Sequence, residues 1–196
     1  DRPVEGLVLY AKNSKSAAAL TRQITQGEVD KCYYAVVKVT DRKGMENVQK
    51  ELGSRTVITL ENYLLKDSKT NMSHVVPEGT DGAKKAVLEY RVLGIETGEE
   101  LALLRVKLHT GRHHQIRVQL SETGMPILND TKYGVTPNEE NIKDTSRAGR
   151  DEALALCSYR LVFSHPVTRK KLTFEVIPKG KSFALFSEDL CKMDNI

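Results

Sequence analysis

The chain has 196 residues, 39% of them hydrophobic, with 30 Lys+Arg against 26 Asp+Glu and a formal net charge of +4. That is enough apolar material for one domain with a real core, and the small positive balance is compatible with a nucleic-acid partner without arguing for one. The lack of Trp and an aromatic content of 6% argue against the stacking platform that single-strand binders use. No run of about 18 apolar residues offers a membrane span, and no signal peptide is expected. Cys32, Cys157 and Cys191 are widely spaced and form no C-x-x-C pair, so a zinc site is not expected. Their odd number predicts reduced thiols and a cytoplasmic setting.

In chain order, Gly6 to Ala11 reads as a short, buried, apolar strand. Asn13 or Ser14 caps a helix whose apolar positions Ala17, Leu20 and Ile24 recur at spacings of three and four, and Gly27 stops it. Tyr33 to Val39 is a second strand, followed by a polar loop with Asp41, Lys43 and Gly44. Thr56 to Leu65 carries weaker strand signals. Ala86 to Glu96 and Leu101 to His109 form a hairpin, with Thr97-Gly98-Glu99-Glu100 as its turn.

From Thr110 to Gly124, Ile116, Val118 and Leu120 alternate as in a strand, yet the Thr-Gly start and the Gly124 stop permit a helix of about three turns. The helix is favoured. Thr136 to Asp151 reads as an exposed polar loop. Leu154 to Phe163 and Leu172 to Ile177 are strands joined by a turn at His165-Pro166-Val167-Thr168, and Ser182 to Leu190 suits a short closing helix. The sum is α+β, with a mainly antiparallel mixed sheet flanked by helices and loops.

Arg112, His113, His114, Gln115 and Arg117 concentrate polar side chains directly after a Thr-Gly turn. On a helix, His113 and Arg117 would share one face and Arg112 and Gln115 another. Two readings stand: a site for phosphate or carboxylate, which arginine recognises with rigid bidentate donors, or a solvated cationic face. Adjacent histidines point apart on a regular helix or strand, and no H-x-x-x-H accompanies them, so no metal is expected. No G-x-S-x-G elbow, Walker loop or G-x-G-x-x-G occurs, which disfavours a serine hydrolase and a nucleotide cofactor.

The segment Asp1-Arg2-Pro3-Val4-Glu5-Gly6-Leu7-Val8-Leu9-Tyr10-Ala11-Lys12-Asn13 resembles the central motif of the RluA-type RNA pseudouridine synthases, H-R-L-D-R-x-T-S-G-L-L-L-x-A-K-N. Asp1 falls on its Asp; Arg2, Gly6, Leu7, Ala11, Lys12 and Asn13 also match. Lys31-Cys32-Tyr33-Tyr34-Ala35 is similar to the family's K-x-Y-x-A, and Thr110 to Val118 to its T-G-R-x-H-Q-I-R-V. Gly124 to Asp130 with Tyr133-Gly134 resembles G-x-P-I-x-G-D and Y-G, and Leu154-Ala155-Leu156 and Tyr159 to Thr168 resemble the closing strands. Val4-Glu5 replace the usual Thr-Ser, Asn129 stands for a Gly and Gln119 for a common His.

The resemblance covers almost the whole chain. It implies one pseudouridine synthase catalytic domain over residues 1–196, N-terminally incomplete, that isomerises uridines in rRNA or tRNA without a cofactor. It implies Asp1 as nucleophile, Tyr33 in the active site and Arg117 paired with the catalytic Asp. Arg2, Lys12, Arg112, His114 and Gln115 become candidate RNA contacts. RNA is the expected partner, the protein is expected to be a monomer off the membrane, and a catalytically inactive RNA-binding module is the alternative.

Overall fold

The computed structural model describes residues 3–134 and 153–191. Asp1, Arg2 and the polar stretch Thr136 to Asp151 lie outside them. The described elements are β1 (Glu5–Gly6), α1 (Ser14–Thr25), β2 (Asp30–Lys38), α2 (Arg42–Ser54), β3 (Ile58–Asp67), β4 (Met72–Val76) and β5 (Lys84–Glu96). They continue with β6 (Leu101–Leu108), α3 (Gln115–Glu122), β7 (Leu156–Ser164), β8 (Lys171–Glu175), α4 (Lys181–Ala184) and α5 (Ser187–Cys191). The strands form one eight-stranded sheet in the order β1-β7-β2-β6-β5-β3-β4, with β8 also paired to β7. Among the described residues, β1 alone runs parallel to its neighbour and every other pairing is antiparallel. The expected α+β class with a mainly antiparallel mixed sheet is what forms.

The centre of the sheet is β2, whose Ala35, Val36 and Val37 are fully buried at consecutive positions. Three successive buried residues mean that both faces are covered there, because side chains alternate across a strand. Leu88 of β5, Leu104 and Val106 of β6, Val48 of α2, and Ile116 and Leu120 of α3 join the same core. The hairpin of β5 and β6 runs in register from Leu88 opposite Leu108 to Glu96 opposite Leu101, with an irregularity between Val92 and Gly94.

α1 begins as its sequence demands. Asn13 is extended, and its side chain accepts from Ser16 N–H at 2.9 Å. Gln23, 3% exposed, bolts the helix to the end of β7: its amide donates to Ser164 O and accepts from Ser164 N–H, both at 2.9 Å.

Two expectations change. The polar loop at Asp41 is instead the cap of α2: the Asp41 carboxylate accepts from Gly44 N–H at 2.7 Å. Met45, Val48 and Leu52 then turn one apolar face toward the core. The buried strand from Gly6 to Ala11 shrinks to Glu5–Gly6, with Val8 68% and Tyr10 84% exposed. Leu7 and Leu9 alone pack inward, against Leu20, Val29, Leu161 and Phe163, so the segment is extended but only half covered.

Gly6 lets β1 dock. Its φ is +107°, and a Cβ there would fall 2.3 Å from the Ser158 carbonyl oxygen. Glu5 secures the same junction from the other side, its carboxylate accepting from Lys179 N–H at 2.6 Å and Gly180 N–H at 3.0 Å. Gly6→Ala therefore both strains the backbone and drives a methyl group into β7. We predict a loss of about 2–4 kcal/mol in unfolding free energy, read from the urea midpoint at unchanged m-value.

Candidate functional site

Where the C-terminal part of β2 runs past β7, the chain after α3 takes over as its neighbour. Lys38 N–H donates to Pro126 O at 2.9 Å, Leu128 N–H donates to Val36 O at 2.9 Å, and Val37 bridges Ile127. Met125 and Ile127 anchor this run in the core. Asn129 then adopts φ +65°, a conformation that glycine takes freely and asparagine tolerates better than most residues; this accounts for Asn at a position where the resembled motif has Gly. The turn delivers Asp130 to the side of α3.

There it meets Arg117, 4% exposed on a helix that also buries Gln115, Ile116, Val118, Gln119 and Leu120. Arg117 Nε donates to Asp130 Oδ2 at 2.8 Å, and Nη2 donates to Oδ1 at 2.6 Å. Asp130 Oδ1 also accepts the backbone N–H of Lys132 at 2.9 Å and of Tyr133 at 3.0 Å. Burial alone would raise the Asp130 pKa; the hydrogen bonds from Arg117, Lys132 and Tyr133 and the guanidinium charge outweigh it and hold the carboxyl below its ordinary value. The Tyr133 ring lies 5.2 Å from the Arg117 guanidinium carbon.

Arg117 opens onto a cleft of about 860 Å³, whose walls come from β1, β2, the loop before α3 and the Thr131–Lys132 turn. Tyr33 of β2 lines it, with its phenol pKa raised by burial against a hydrogen bond with Ser158. Pro3 and Val4 line it too. Among the described residues, the lining side chains carry Lys31, Arg112 and Lys132, with Arg117 paired to Asp130, against the Glu5 carboxylate. The surface therefore favours a polyanion.

The expected site residues separate here. Tyr33, Arg112, His114, Gln115 and Arg117 all reach the cleft wall. Lys12 is exposed and is not among the lining residues. Gln115 is 3% exposed and its amide is occupied within the protein: Oε1 accepts from Arg112 N–H at 2.9 Å and Thr110 Oγ1 at 2.8 Å, and Nε2 donates to Val87 O at 3.1 Å. Gln115 thus shapes the turn that presents Arg112. Arg112 spends only Nε on the protein, donating to Lys85 O at 2.8 Å.

The two histidines also depart from their sequence reading. α3 starts only at Gln115, so Arg112 and His113 do not divide between helix faces. His114 takes left-handed dihedrals, φ 52° and ψ 24°, and this kink brings its ring onto His113 with centroids 3.7 Å apart. Adjacent histidines, expected to point apart, stack. Each is tied to a different neighbour: His114 Nδ1 lies 2.8 Å from Tyr133 Oη, and His113 Nδ1 lies 2.9 Å from Ser73 Oγ. Ser73, buried on β4, also donates its backbone N–H to Tyr133 Oη at 2.7 Å. Burial, followed by the Arg117 charge, pushes His114 down to about 4; burial, followed by Lys66 and Lys132, lowers His113. Both shifts favour neutral rings at pH 7, so the positive charge of this wall comes from its lysines and arginines.

Asp130, Tyr133 and Ser73 had no role assigned from sequence. A buried arginine calls for an anionic partner, but nothing in the spacing singles out Asp130 for that role. Nothing marked Ser73, which sits on a strand without a sequence signal.

Comparison with known proteins points to one family. Residues 1–122 match the family model described as RNA pseudouridylate synthase. The chain is 31% identical over 178 residues to the Pasteurella multocida "tRNA pseudouridine synthase C", covering 88% of this chain and 68% of that protein. It is 32% identical over 177 residues to the Vibrio cholerae "Ribosomal large subunit pseudouridine synthase D", covering 89% and 49%. It spans about half the length of several such relatives. The fold superposes on "Human RNA Pseudouridylate Synthase Domain Containing 1" with a TM-score of 0.60 at 21% identity, covering 86% of this chain and 62% of that one.

The pair gives a stability prediction with a definite sign. A carboxyl held below its unfolded value stabilises the fold above that value and ceases to do so as pH falls through the folded value. Replacing Asp130 by Ala strands a buried guanidinium, and should destabilise by about 3–5 kcal/mol at pH 7. With Asp130→Asn, the deficit relative to the parent should shrink as pH falls from about 4 toward 2, measured by urea unfolding at each pH. A deficit constant over that window would mean that the carboxylate charge contributes nothing.

Proposed function

The chain belongs to the RNA pseudouridylate synthase family, and on that premise we propose that the full protein isomerises specific uridines of structured rRNA or tRNA to pseudouridine. The observation that carries this reading is the convergence of Tyr33 and Arg117, from motifs far apart in sequence, on one cationic cleft large enough for a nucleotide. The relatives' names divide between transfer RNA and the large ribosomal subunit, and the choice between these substrates is the first thing to test.

The reaction breaks the N1–C1′ bond, turns the base and joins C5 to C1′; N1 gains a proton and C5 loses one. It needs an ionised carboxylate aimed at the ribose, and we assign that role to Asp1. Pro3 and Val4, just after it in sequence, line the cleft. A carboxylate in such a cleft is penalised by burial, and the Arg117 guanidinium favours its charged form. Arg117 is anchored by Asp130 along one edge, so its position is fixed before substrate arrives. Tyr33 offers its ring to the uracil; burial keeps its phenol protonated, so its oxygen is assigned to receive the C5 proton only as a relay that hands its own proton on to water. The uridine must leave its stack to reach the cleft, and Arg112 and Lys132, with Arg2, are assigned to the flanking phosphates.

Incubating the full-length protein with RNA tritiated at uridine C5 should release tritium to water. Asp1→Asn should keep RNA affinity within about threefold while release falls at least about a thousandfold. A folded full-length protein that releases none from any cellular RNA is not a synthase, and an Asp1→Asn variant that still turns over removes Asp1 as nucleophile.

A further inference from the structure

We propose that the protein carries a second phosphate-binding site, on the face of the sheet opposite the cleft of Tyr33 and Arg117, where Arg91 and Arg105 hold the phosphate of a nucleotide whose base packs against Tyr159.

The sheet separates the two sites. Along β2, Lys31 and Tyr33 line the cleft, whereas Asp30, Cys32 and Tyr34 line a cavity of about 770 Å³ on the other side, as alternation along a strand requires. Tyr34 and Tyr159 both line this cavity and stack, with ring centroids 3.8 Å apart. Tyr159 is the more exposed of the two. The segment after β8 supplies an apolar part of the wall through Ile177, Pro178 and Phe183.

The charges of the cavity do not balance locally. Arg91 and Arg105 stand directly opposite each other on β5 and β6 and both line it. Like charges in direct cross-strand register destabilise a sheet. Neither guanidinium has a hydrogen bond or ion pair to another described residue. The cavity's carboxylates are engaged elsewhere or lie apart. Glu175 pairs with Arg160 at 2.7 Å, and Glu89, opposite Lys107, lies 3.0 Å from His109 Nε2. Asp30 is four positions along β2 from Tyr34, the cross-strand partner of Arg105, which is roughly 13 Å at the rise of a strand. Burial, followed by the charges of Arg105 and Arg55, lowers the Arg91 pKa. Two guanidiniums opposed in a partly covered hollow call for an anion.

The shape selects the anion. Phosphate presents three acceptor oxygens to the planar forks. The hollow is far larger than an inorganic ion and has the size of a small-molecule pocket. The exposed ring and the apolar wall suit a base. A nucleotide supplies both parts, either free or within an RNA strand crossing this face.

Calorimetric titration of the full-length protein with adenosine 5′-monophosphate tests the site. Arg91→Gln and Arg105→Gln should each weaken binding at least about tenfold, whereas Arg112→Gln, in the cleft, should leave it within about twofold. A parallel titration with an oligoadenylate of about twelve nucleotides separates the sources. If the strand binds and Arg91→Gln lowers its salt slope by about one, the ligand is RNA; if the mononucleotide alone binds, the ligand is a free nucleotide. Binding of neither probe, or binding that ignores both Arg91→Gln and Arg105→Gln, overturns the proposal.

Stability provides an independent readout. Without ligand, Arg91→Gln relieves the opposed charges and should raise the urea midpoint at low salt, while added adenosine monophosphate should raise the midpoint of the parent and not of the variant. A variant with a lowered midpoint that still gains from the nucleotide makes the pair purely structural and overturns the site. Should the glutamine variants fail to fold, Arg91→Lys keeps the charge and loses the fork; it should weaken binding at least about threefold, and unchanged affinity overturns the site. None of these outcomes depends on tritium release, so this site and the synthase reading stand or fall separately.

Discussion

Arg117 and Asp130 meet in the interior with side chains 4% and 0% exposed, and the geometry around the cleft follows from that meeting. A guanidinium on the apolar flank of α3 is untenable without a carboxylate, and a carboxylate there is untenable without donors. Asp130 receives two hydrogen bonds from Arg117 and two from the backbone that follows it. Those last two fold the Thr131–Tyr133 turn back on itself, so one ion pair sets the course of the chain after α3. Loss of Arg117 would leave Asp130 a buried carboxylate held by backbone N–H groups alone among its described partners.

That turn has two further ties. Lys132 Nζ donates to Asn71 O at 2.9 Å, and Tyr133 Oη accepts from Ser73 N–H. Both reach the β3–β4 hairpin, whose turn residue Asn71 lines the cleft. The edge of the sheet is therefore a working part of the wall. The same arrangement sorts the charges: arginine and lysine supply positive potential, while the stacked imidazoles of His113 and His114, half-buried beside cations, have lowered pKa values.

Residues with strong local signals were legible. Asn13 as a cap and Gly27, with φ +72°, as the stop bracketed α1 to within a residue or two. The hairpin of β5 and β6 was legible because its turn residues are polar and its flanks β-rich. α2 was missed although Met45, Val48 and Leu52 carry helical spacing, since Lys43 and Gly44 beside Asp41 look like a loop until Asp41 is seen capping Gly44. The first strand was overread: an apolar run at a sheet edge pairs only where Gly6 permits contact with Ser158, and Val8 and Tyr10 face outward beyond it. Tyr33, Arg112, His114 and Arg117 were named as site residues from motif and residue type, and all four line one cleft.

The sequence by itself determined the ordered motifs, and with them the family, together with the residue types available for chemistry and the elements whose periodicity and caps are local. Tertiary structure alone decided what those residues do to one another. The partner that holds Arg117 lies thirteen positions away around a turn, and that distance is bridged only because Met125 and Ile127 bury beside β2. The lowered pKa of His114 depends on desolvation and on the cations that the fold places around it. Hydrogen-bond partners and desolvation are properties of a packed interior, and no spacing along the chain encodes them.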